Sequence, residues 1–284
     1  MTADTPLSSR PRRLPRRPFH PLAFPFVFPF LPETTDVTFR ALPPLIALAT
    51  LSLAAGACRA AHPLQTEDTG TQGAGNVEIE NGFSRARFDG TTVFTYQPQV
   101  SVGLATTVDA IVQPSWVSVH SAADASGLGD TNLDAKWRFL GVDPWSLAVR
   151  AGLQVPTSQH GLGLQHGDVS EHALLVATWD SAPTTVHANL GLTHNPSAPG
   201  ARQTIAHVSA AVMQAINERL ILTVDGGFGQ NPDAGRGGWP GTILAGAIWT
   251  ARPGLDLDLG YQVSLNAEPV NRQWLAGLTW RFAL

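Results

Sequence analysis

Apolar and polar residues alternate with a period of two along most of the chain from residue 75 onward. The clearest stretch spans residues 255–265, in which every odd position is apolar and every even position is Asp, Gly, Gln or Ser. A period of two indicates β-strands, because successive side chains of a strand point to opposite faces. One apolar and one polar face on each strand is typical of a barrel with lipid outside and a polar lumen inside.

The alternation divides this part of the chain into twelve segments. Each is close to the ~9–11 residues that a tilted strand needs to cross a bilayer. The predicted strands span residues 76–87, 92–104, 107–120, 130–140, 145–155, 171–181, 184–195, 203–215, 219–229, 241–250, 254–265 and 273–282. The pattern is weakest in the first strand, in the third, where it slips around Pro114, and in the eighth, which an Ala-rich helix would imitate.

The predicted connections alternate between short and long. The short ones lie at 105–106, 141–144, 182–183, 216–218 and 251–253, and the long ones, rich in Gly, Pro, Asn and Asp, at 121–129, 156–170, 196–202, 230–240 and 266–272. Periplasmic turns and extracellular loops alternate in this way in outer-membrane barrels. The sequence therefore predicts an all-β fold, a membrane-spanning antiparallel up-and-down β-barrel of about 12 strands, with both ends on the short-turn side.

The composition changes this picture little but excludes one class of partner. Charged residues make up 14% of the 284 residues, against about a quarter in ordinary soluble domains. Seven of the 18 Lys and Arg and three of the 22 Asp and Glu precede residue 62, so the remainder carries a formal net charge of −8. Because an acidic chain is a poor candidate for nucleic-acid binding, no nucleic-acid partner is expected.

An export signal is predicted near the N-terminus. Residues 41–57 are apolar and end in small residues, Arg40 precedes them, and cleavage after Ala61 or Ala57 would fit the usual pattern. A transmembrane anchor and a lipoprotein acylated at Cys58 are the alternatives. Since Cys58 is the single cysteine, the exported chain would have none for disulfides, zinc clusters or nucleophilic catalysis.

Four parts of the chain follow from these boundaries. Residues 1–36 are an Arg- and Pro-rich extension that is expected to be disordered or to reflect a mis-assigned translation start, with Val37 as the alternative start. Residues 37–61 are the predicted signal peptide. Residues 62–75 are predicted to be a periplasmic N-terminal segment, and residues 76–284 the outer-membrane barrel.

The last predicted strand carries an aromatic pattern. Trp280 and Phe282 lie on its apolar face within four residues of the C-terminal Leu284. A terminal strand with a near-final aromatic residue is similar to the signal read by the outer-membrane assembly machinery. The Trp residues at strand ends are expected to form interfacial girdles in contact with outer-membrane lipid.

Three stretches resemble a known family. They are residues 62–73 (HPLQTEDTGTQG), 78–82 (EIENG) and 127–139 (GLGDTNLDAKWRF). They resemble outer-membrane transporter-like proteins associated with the meta-pathway of phenol degradation, and the resemblance covers residues 62–284. It implies a barrel that helps small, often aromatic or apolar, compounds across the outer membrane, and it carries over no catalytic residues.

Charged residues on the polar faces of the strands are the main candidates for function. They are Asp134, Lys136, Arg138, Arg150, Asp225, Asp256, Asp258 and Arg281. Both signs are present, so neighbouring strands can pair them. Two hypotheses remain open: these side chains line a narrow pore and set its selectivity, or they form a salt-bridged plug that closes a small barrel.

The loop before the sixth predicted strand holds a second group. His160, His166, Asp168 and His172 are predicted to lie at the pore mouth. Imidazoles and carboxylates can hold a metal, but this spacing matches no standard site, and neither a metal nor a cofactor is expected.

Catalysis is a distant alternative. His194 with Ser197, and His207 with Ser209, supply the residue types of an outer-membrane phospholipase without its spacing. The predicted function is therefore a non-enzymatic, porin-like outer-membrane channel or transporter for a small-molecule solute. A non-conducting barrel with a structural or sensing role is the alternative, and a lipid hydrolase a remote third.

Overall fold

The computed structural model describes residues 62–121, 124–158, 168–196, 200–266 and 271–284, and its regular elements are strands. They are β1 (Asn76–Phe88), β2 (Thr91–Ala105), β3 (Val108–Gln113), β4 (Trp116–His120), β5 (Ala125–Leu128), β6 (Thr131–Val142), β7 (Trp145–Val155), β8 (Ser170–Ser181), β9 (Thr184–His194), β10 (Thr204–Asn217), β11 (Leu220–Gly229), β12 (Gly241–Arg252), β13 (Leu255–Ser264) and β14 (Arg272–Ala283). No helix among the described residues is long and apolar enough to cross a membrane.

The strands form one closed antiparallel sheet. Each strand from β6 to β14 pairs with its neighbour in sequence, and β1 pairs with both β2 and β14. The segments β3 and β4 form one wall strand interrupted at Pro114 and Ser115, and β5 and β6 form the next, interrupted at residues 129–130. Counted this way the barrel has twelve strands, which confirms the predicted fold, including the first, third and eighth strands.

The interruption at Pro114 has a simple cause. Proline has no backbone N–H to donate to a neighbouring strand. The ladder between β2 and β3 ends at Val112, and the ladder between β2 and β4 resumes at Trp116. The loop predicted at 121–129 is partly wrong, because β5 continues the wall there and pairs with β4. The sequence did not reveal this strand, because β5 has only four residues and two of them, Ser126 and Gly127, are small, so no alternation is visible.

The two faces of the wall invert the usual arrangement of a soluble protein. Large apolar side chains point outward, among them Leu104 (64% exposed), Trp137 (56%) and Leu259 (54%). The fully buried charged side chains Arg150 and Lys136 point inward. Because an apolar exterior of this extent is stable only in hydrocarbon, the fold is that of a membrane barrel.

Residues 62–75 lie inside the barrel, so the prediction of a periplasmic segment is wrong. Most of them, from His62 to Gln72, are buried. The alternating pattern stops before these residues, so the sequence did not indicate where they pack; their position is set by inward-facing partners on almost every wall strand. We call residues 62–75 the N-terminal plug. The predicted signal peptide and the predicted extension, residues 1–61, lie outside the described residues.

Candidate functional site

The N-terminal plug crosses the lumen from the short-turn rim to the middle of the barrel. At the rim, the Gly75 N–H donates to the Gly103 carbonyl at 3.1 Å. At the other end, the His62 ring contacts the Asp258 carboxylate, at mid-height on β13. The lumen is therefore obstructed by the protein's own chain rather than lined by water-exposed charges alone.

Glu67 is the centre of the strongest contacts of the plug. Its Oε1 accepts a hydrogen bond from Lys136 Nζ at 2.6 Å, and its Oε2 accepts one from Arg150 Nη1 at 3.0 Å. Lys136 on β6 and Arg150 on β7 are directly opposite each other in the register. Like charges placed opposite each other on neighbouring strands repel, and the Glu67 carboxylate offsets that repulsion by bridging them.

Asp134 extends this network toward the long-loop end. It accepts a hydrogen bond from Arg150 Nε at 2.7 Å, and its other oxygen lies 2.7 Å from His172 Nε2. Glu67, Asp134, Lys136 and Arg150 form what we call the central charge cluster. All four side chains are at most 1% exposed, and ionic groups this deeply buried are stable only when paired and hydrogen-bonded.

Two further contacts hold the backbone of the plug. Thr66 donates to Asp225 through its N–H at 2.8 Å and through its Oγ1 at 2.6 Å. Asn189 accepts from the Glu67 N–H at 2.6 Å and donates to the Glu67 carbonyl at 2.8 Å. The Asn189 amide thus satisfies both backbone groups of Glu67 in the way a neighbouring strand would.

Small wall residues leave room for the plug. A Cβ on Gly246 or Gly260 would come within 2.8 Å of Pro63 Cγ, and a Cβ on Gly103 would overlap the Gly73 carbonyl. Next to Pro63, Leu64 packs on an inward-facing apolar patch made by Ala211, Met213, Ile221, Leu244, Ile248 and Leu275. The wall is therefore shaped around this segment as well as charged to match it.

A second group of charges lies at the short-turn end, between β1, β13 and β14. Arg281 donates to Glu78 Oε2 at 2.8 Å and to Asp256 Oδ2 at 2.7 Å. Gln72 of the plug donates from Nε2 to Glu78 Oε1 at 2.9 Å, and its N–H donates to Asp109 at 3.0 Å. These bonds tie the plug to the rim through which it enters.

The structure places all eight predicted lumen residues on the inward face. Asp134, Lys136 and Arg150 belong to the central charge cluster, Asp225 and Asp258 contact the plug, Asp256 and Arg281 pair at the short-turn end, and Arg138 is buried on β6. Sequence reasoning missed Glu67, Glu78 and Asp109. The even positions of the first predicted strand pointed to Glu78, whereas no local pattern pointed to Glu67.

The predicted pore-mouth group is divided by the structure. His172 lies within β8, which begins at Ser170, and contacts Asp134. It therefore belongs to the wall, as the predicted strand 171–181 has it, and the structure separates it from the pore-mouth loop. Asp168 is exposed just before that strand. His160 and His166 lie outside the described residues. Ser197, one of the two candidate nucleophiles, lies outside them as well.

Trp280 and Phe282 lie on the outward face of β14 at the short-turn end. Their ring centroids are 4.9 Å apart. Outward-facing Trp137, Trp145 and Trp249 are at the same end of their strands. This arrangement is typical of an interfacial aromatic girdle.

Comparison with known proteins places this architecture in a family. The family described as "Putative MetA-pathway of phenol degradation" matches residues 60–282. The chain belongs to this family. The match spans the plug and the strands from β1 to β14, except for the last residue of β14, so in this member of the phenol-degradation family the plug is part of the matched domain.

Solved structures share the fold of this family member. The COG4313 outer membrane channel from Pseudomonas putida F1 superposes with a TM-score of 0.64 at 12% identity, covering 76% of this chain and 98% of the channel. The KdgM porin in complex with disordered oligogalacturonate gives 0.53 at 8% identity (72% and 99%), and the NanC porin gives 0.53 at 10% identity (72% and 98%). No curated protein matches the sequence. The fold and the apolar exterior together make this a barrel of the bacterial outer membrane.

Proposed function

We propose that the protein is an outer-membrane channel for small solutes that is closed in this structure by the N-terminal plug and opens when the plug leaves the lumen. The observation that carries the proposal is the nature of the contacts that hold the plug. They are hydrogen bonds and ion pairs to a polar wall, supplemented by the apolar side chains of Pro63 and Leu64.

The barrel wall does not depend on the plug for its backbone hydrogen bonds. The strand ladders close the ring on their own, through β1 with β2 and β1 with β14. The plug adds few backbone-to-backbone bonds, such as Gly75 to Gly103. Water entering a vacated lumen can hydrogen-bond the polar wall, so an open state leaves no polar group stranded in an apolar medium.

The family points to the solute class. Its description refers to phenol degradation, which supports small aromatic compounds as the solutes. Phenols carry both an apolar ring and a hydroxyl group, and the lumen offers both an apolar patch around Leu64 and many hydrogen-bonding groups. We therefore propose small aromatic or apolar solutes.

One observation favours the alternative of a non-conducting barrel. The central charge cluster is fully buried, and its two carboxylates balance its two cations, as expected of a permanent closure. The two hypotheses differ in what removal of the plug does. A channel conducts once residues 62–72 are deleted, whereas a structural barrel either remains closed or does not fold.

The test is solute-dependent swelling of liposomes that contain the refolded chain 62–284 or the same chain lacking residues 62–72. We expect slow swelling with the complete chain and much faster swelling with the shortened chain, with phenol compared against sugars of increasing size. A shortened chain that folds, as shown by heat-modifiable mobility in gels, and still gives no swelling would contradict the channel hypothesis.

A further inference from the structure

We propose that the outward face of β1 and β14 at the long-loop end binds the phosphorylated headgroup of an outer-leaflet glycolipid. Arg85, Arg87 and Arg272 carry this site, and we call them the rim arginines. The proposal is independent of whether the barrel conducts.

The register places the rim arginines on one small area of the outer wall. Arg87 on β1 is directly opposite Arg272 on β14, and Arg85, two residues from Arg87 on the same face, is opposite Trp274. Side chains directly opposite each other on antiparallel strands have Cβ atoms about 5 Å apart. The three guanidinium groups can therefore reach a single anion.

The barrel shows elsewhere how it stabilises two opposed cations. Lys136 and Arg150 face each other across β6 and β7, and the Glu67 carboxylate binds both. Arg87 and Arg272 face each other in the same way on the outside, and among the described residues no carboxylate forms an ion pair with either. Because the two guanidinium groups repel each other, an anion from outside the chain would be stabilised between them, as Glu67 is between Lys136 and Arg150.

The surroundings match a lipid headgroup more closely than a free ion. The rim arginines border a recess of about 490 Å³ that Tyr261 and Trp274 also line. The two rings lie 4.7 Å apart between centroids. Asp89 lines the same recess, which leaves a formal excess of two positive charges.

The height of the recess agrees with the outer leaflet. It lies at the end of the barrel that carries the long loops, which faces the cell exterior in such barrels. Guanidinium groups bind phosphate through paired N–H donors, and aromatic side chains lie at the headgroup level. The rim arginines would bind a phosphate of the headgroup, and the acyl chains would lie along Tyr261 and Trp274. A glycolipid would therefore occupy both the charged and the aromatic part of the recess.

The contrast with the rest of the outer rim supports the assignment. At the long-loop ends of β8 and β9, the outward residues are Glu171 and His194, opposite each other in the register. In the described strands, the outward arginines of the long-loop half are confined to β1 and β14. On the strands of the long-loop half, the outward arginine charge is thus confined to this area. The other described arginines at this end, Arg202 and Arg236, lie in loops, and Arg236 pairs with Asp233.

The experiment measures binding of lipid A to the folded chain 62–284 in neutral detergent, with dephosphorylated lipid A and inorganic phosphate as comparison probes. The double variant R87Q/R272Q removes the opposed pair, and R219Q/R252Q removes two arginines at the short-turn end as a matched control. We expect at least a tenfold loss of affinity for lipid A in the first variant, since one charge-assisted hydrogen bond contributes on the order of tenfold, and no loss in the control.

Three results would overturn the proposal. Equal binding of lipid A by the double variant and the parent chain would exclude the rim arginines. Equal binding of lipid A with and without its phosphates would exclude phosphate recognition. Binding of inorganic phosphate as tight as that of lipid A would indicate a free-anion site instead.

A second measurement keeps the test valid if the double variant does not fold. The single variant R87Q relieves the repulsion with Arg272, so we expect its melting temperature in neutral detergent to equal or exceed that of the parent chain. Addition of lipid A should raise the melting temperature of the parent chain more than that of R87Q. An equal rise in both would contradict the proposal.

Discussion

At the scale of single residues, Glu67 determines how the lumen is filled. Its carboxylate binds both Lys136 and Arg150. Its backbone is held separately by Asn189. Asn189 therefore fixes the position of the Glu67 backbone, while Lys136 and Arg150 compensate its charge. A substitution can remove one of these contacts without removing the other.

Replacing Glu67 by Gln should release the plug. Removing one partner of a buried ion pair leaves an uncompensated charge and typically costs about 3–5 kcal/mol. Because water can reach Lys136 and Arg150 once the plug has left, we expect the cost to appear as loss of plug docking rather than as unfolding. Liposome swelling should increase while heat-modifiable mobility is retained.

The control for that substitution is Glu171→Gln, which removes a carboxylate from the outward face of β8. It should leave swelling unchanged. If both variants swell liposomes like the parent chain, Glu67 does not hold the plug in place.

A steric change should have the same effect as the electrostatic one. Ala at position 103 would place its Cβ on the Gly73 carbonyl, while the backbone of Gly103 has no positive φ and so can itself adopt Ala. We expect Gly103→Ala to prevent docking of the plug and to increase swelling. Gly141→Ala, where a Cβ meets nothing within 4 Å, is the matched control and should behave like the parent chain. Unchanged swelling of Gly103→Ala would mean that the plug docks differently from this structure.

At the scale of secondary-structure elements, β14 has two separate roles. Its inward residue Arg281 pairs with Glu78 and Asp256, while its outward residues Trp280 and Phe282 contribute to the girdle. Its pairing with β1 over twelve positions closes the ring. An outward substitution can therefore affect delivery without changing the lumen.

We expect Phe282→Ala to lower the amount of barrel inserted in the outer membrane of cells several-fold, because the near-final aromatic residue is the expected contact of the assembly machinery. Trp249→Ala, which changes an exposed girdle aromatic on another strand, is the control and should insert at the parent level. Swelling by the two refolded proteins should be equal. Equal insertion of both variants in cells would contradict an assembly role for Phe282.

At the scale of the whole molecule, the barrel separates two solvents. The outward face carries exposed apolar side chains along the strands, with charged residues at the long-loop rim, and the inward face carries buried charges. The same substitution therefore has opposite consequences on the two faces.

We expect Leu259→Arg, at mid-height on the outward face of β13, to lower the free energy of unfolding in phospholipid vesicles by about 2–4 kcal/mol, the cost of an arginine at the bilayer midplane. Leu284→Arg, at the exposed chain end, should cost almost nothing. Denaturant titration followed by tryptophan fluorescence measures both. A cost below 1 kcal/mol for Leu259→Arg would mean that this face does not meet lipid.

The fold was predictable because it rests on a local pattern. Alternation of period two indicates strands and assigns each side chain to one of two faces without knowledge of the partners. For this reason twelve strands and eight inward-facing charges followed from the sequence. Local pattern failed where it was short, as at β5, whose four residues were assigned to a loop.

By itself, then, the sequence determined most of the strands and the orientation of their faces, since these depend on residues that are neighbours in the chain. The closed antiparallel ring followed as an inference, because strands that face lipid leave no unpaired edge only when the sheet closes. Only the tertiary structure decided that residues 62–75 fill the lumen and that Glu67 joins Lys136 to Arg150. These contacts connect residues about 70 or more positions apart. They arise because ring closure brings glycines and matched charges from distant strands around one segment, and no periodicity along the chain encodes that meeting.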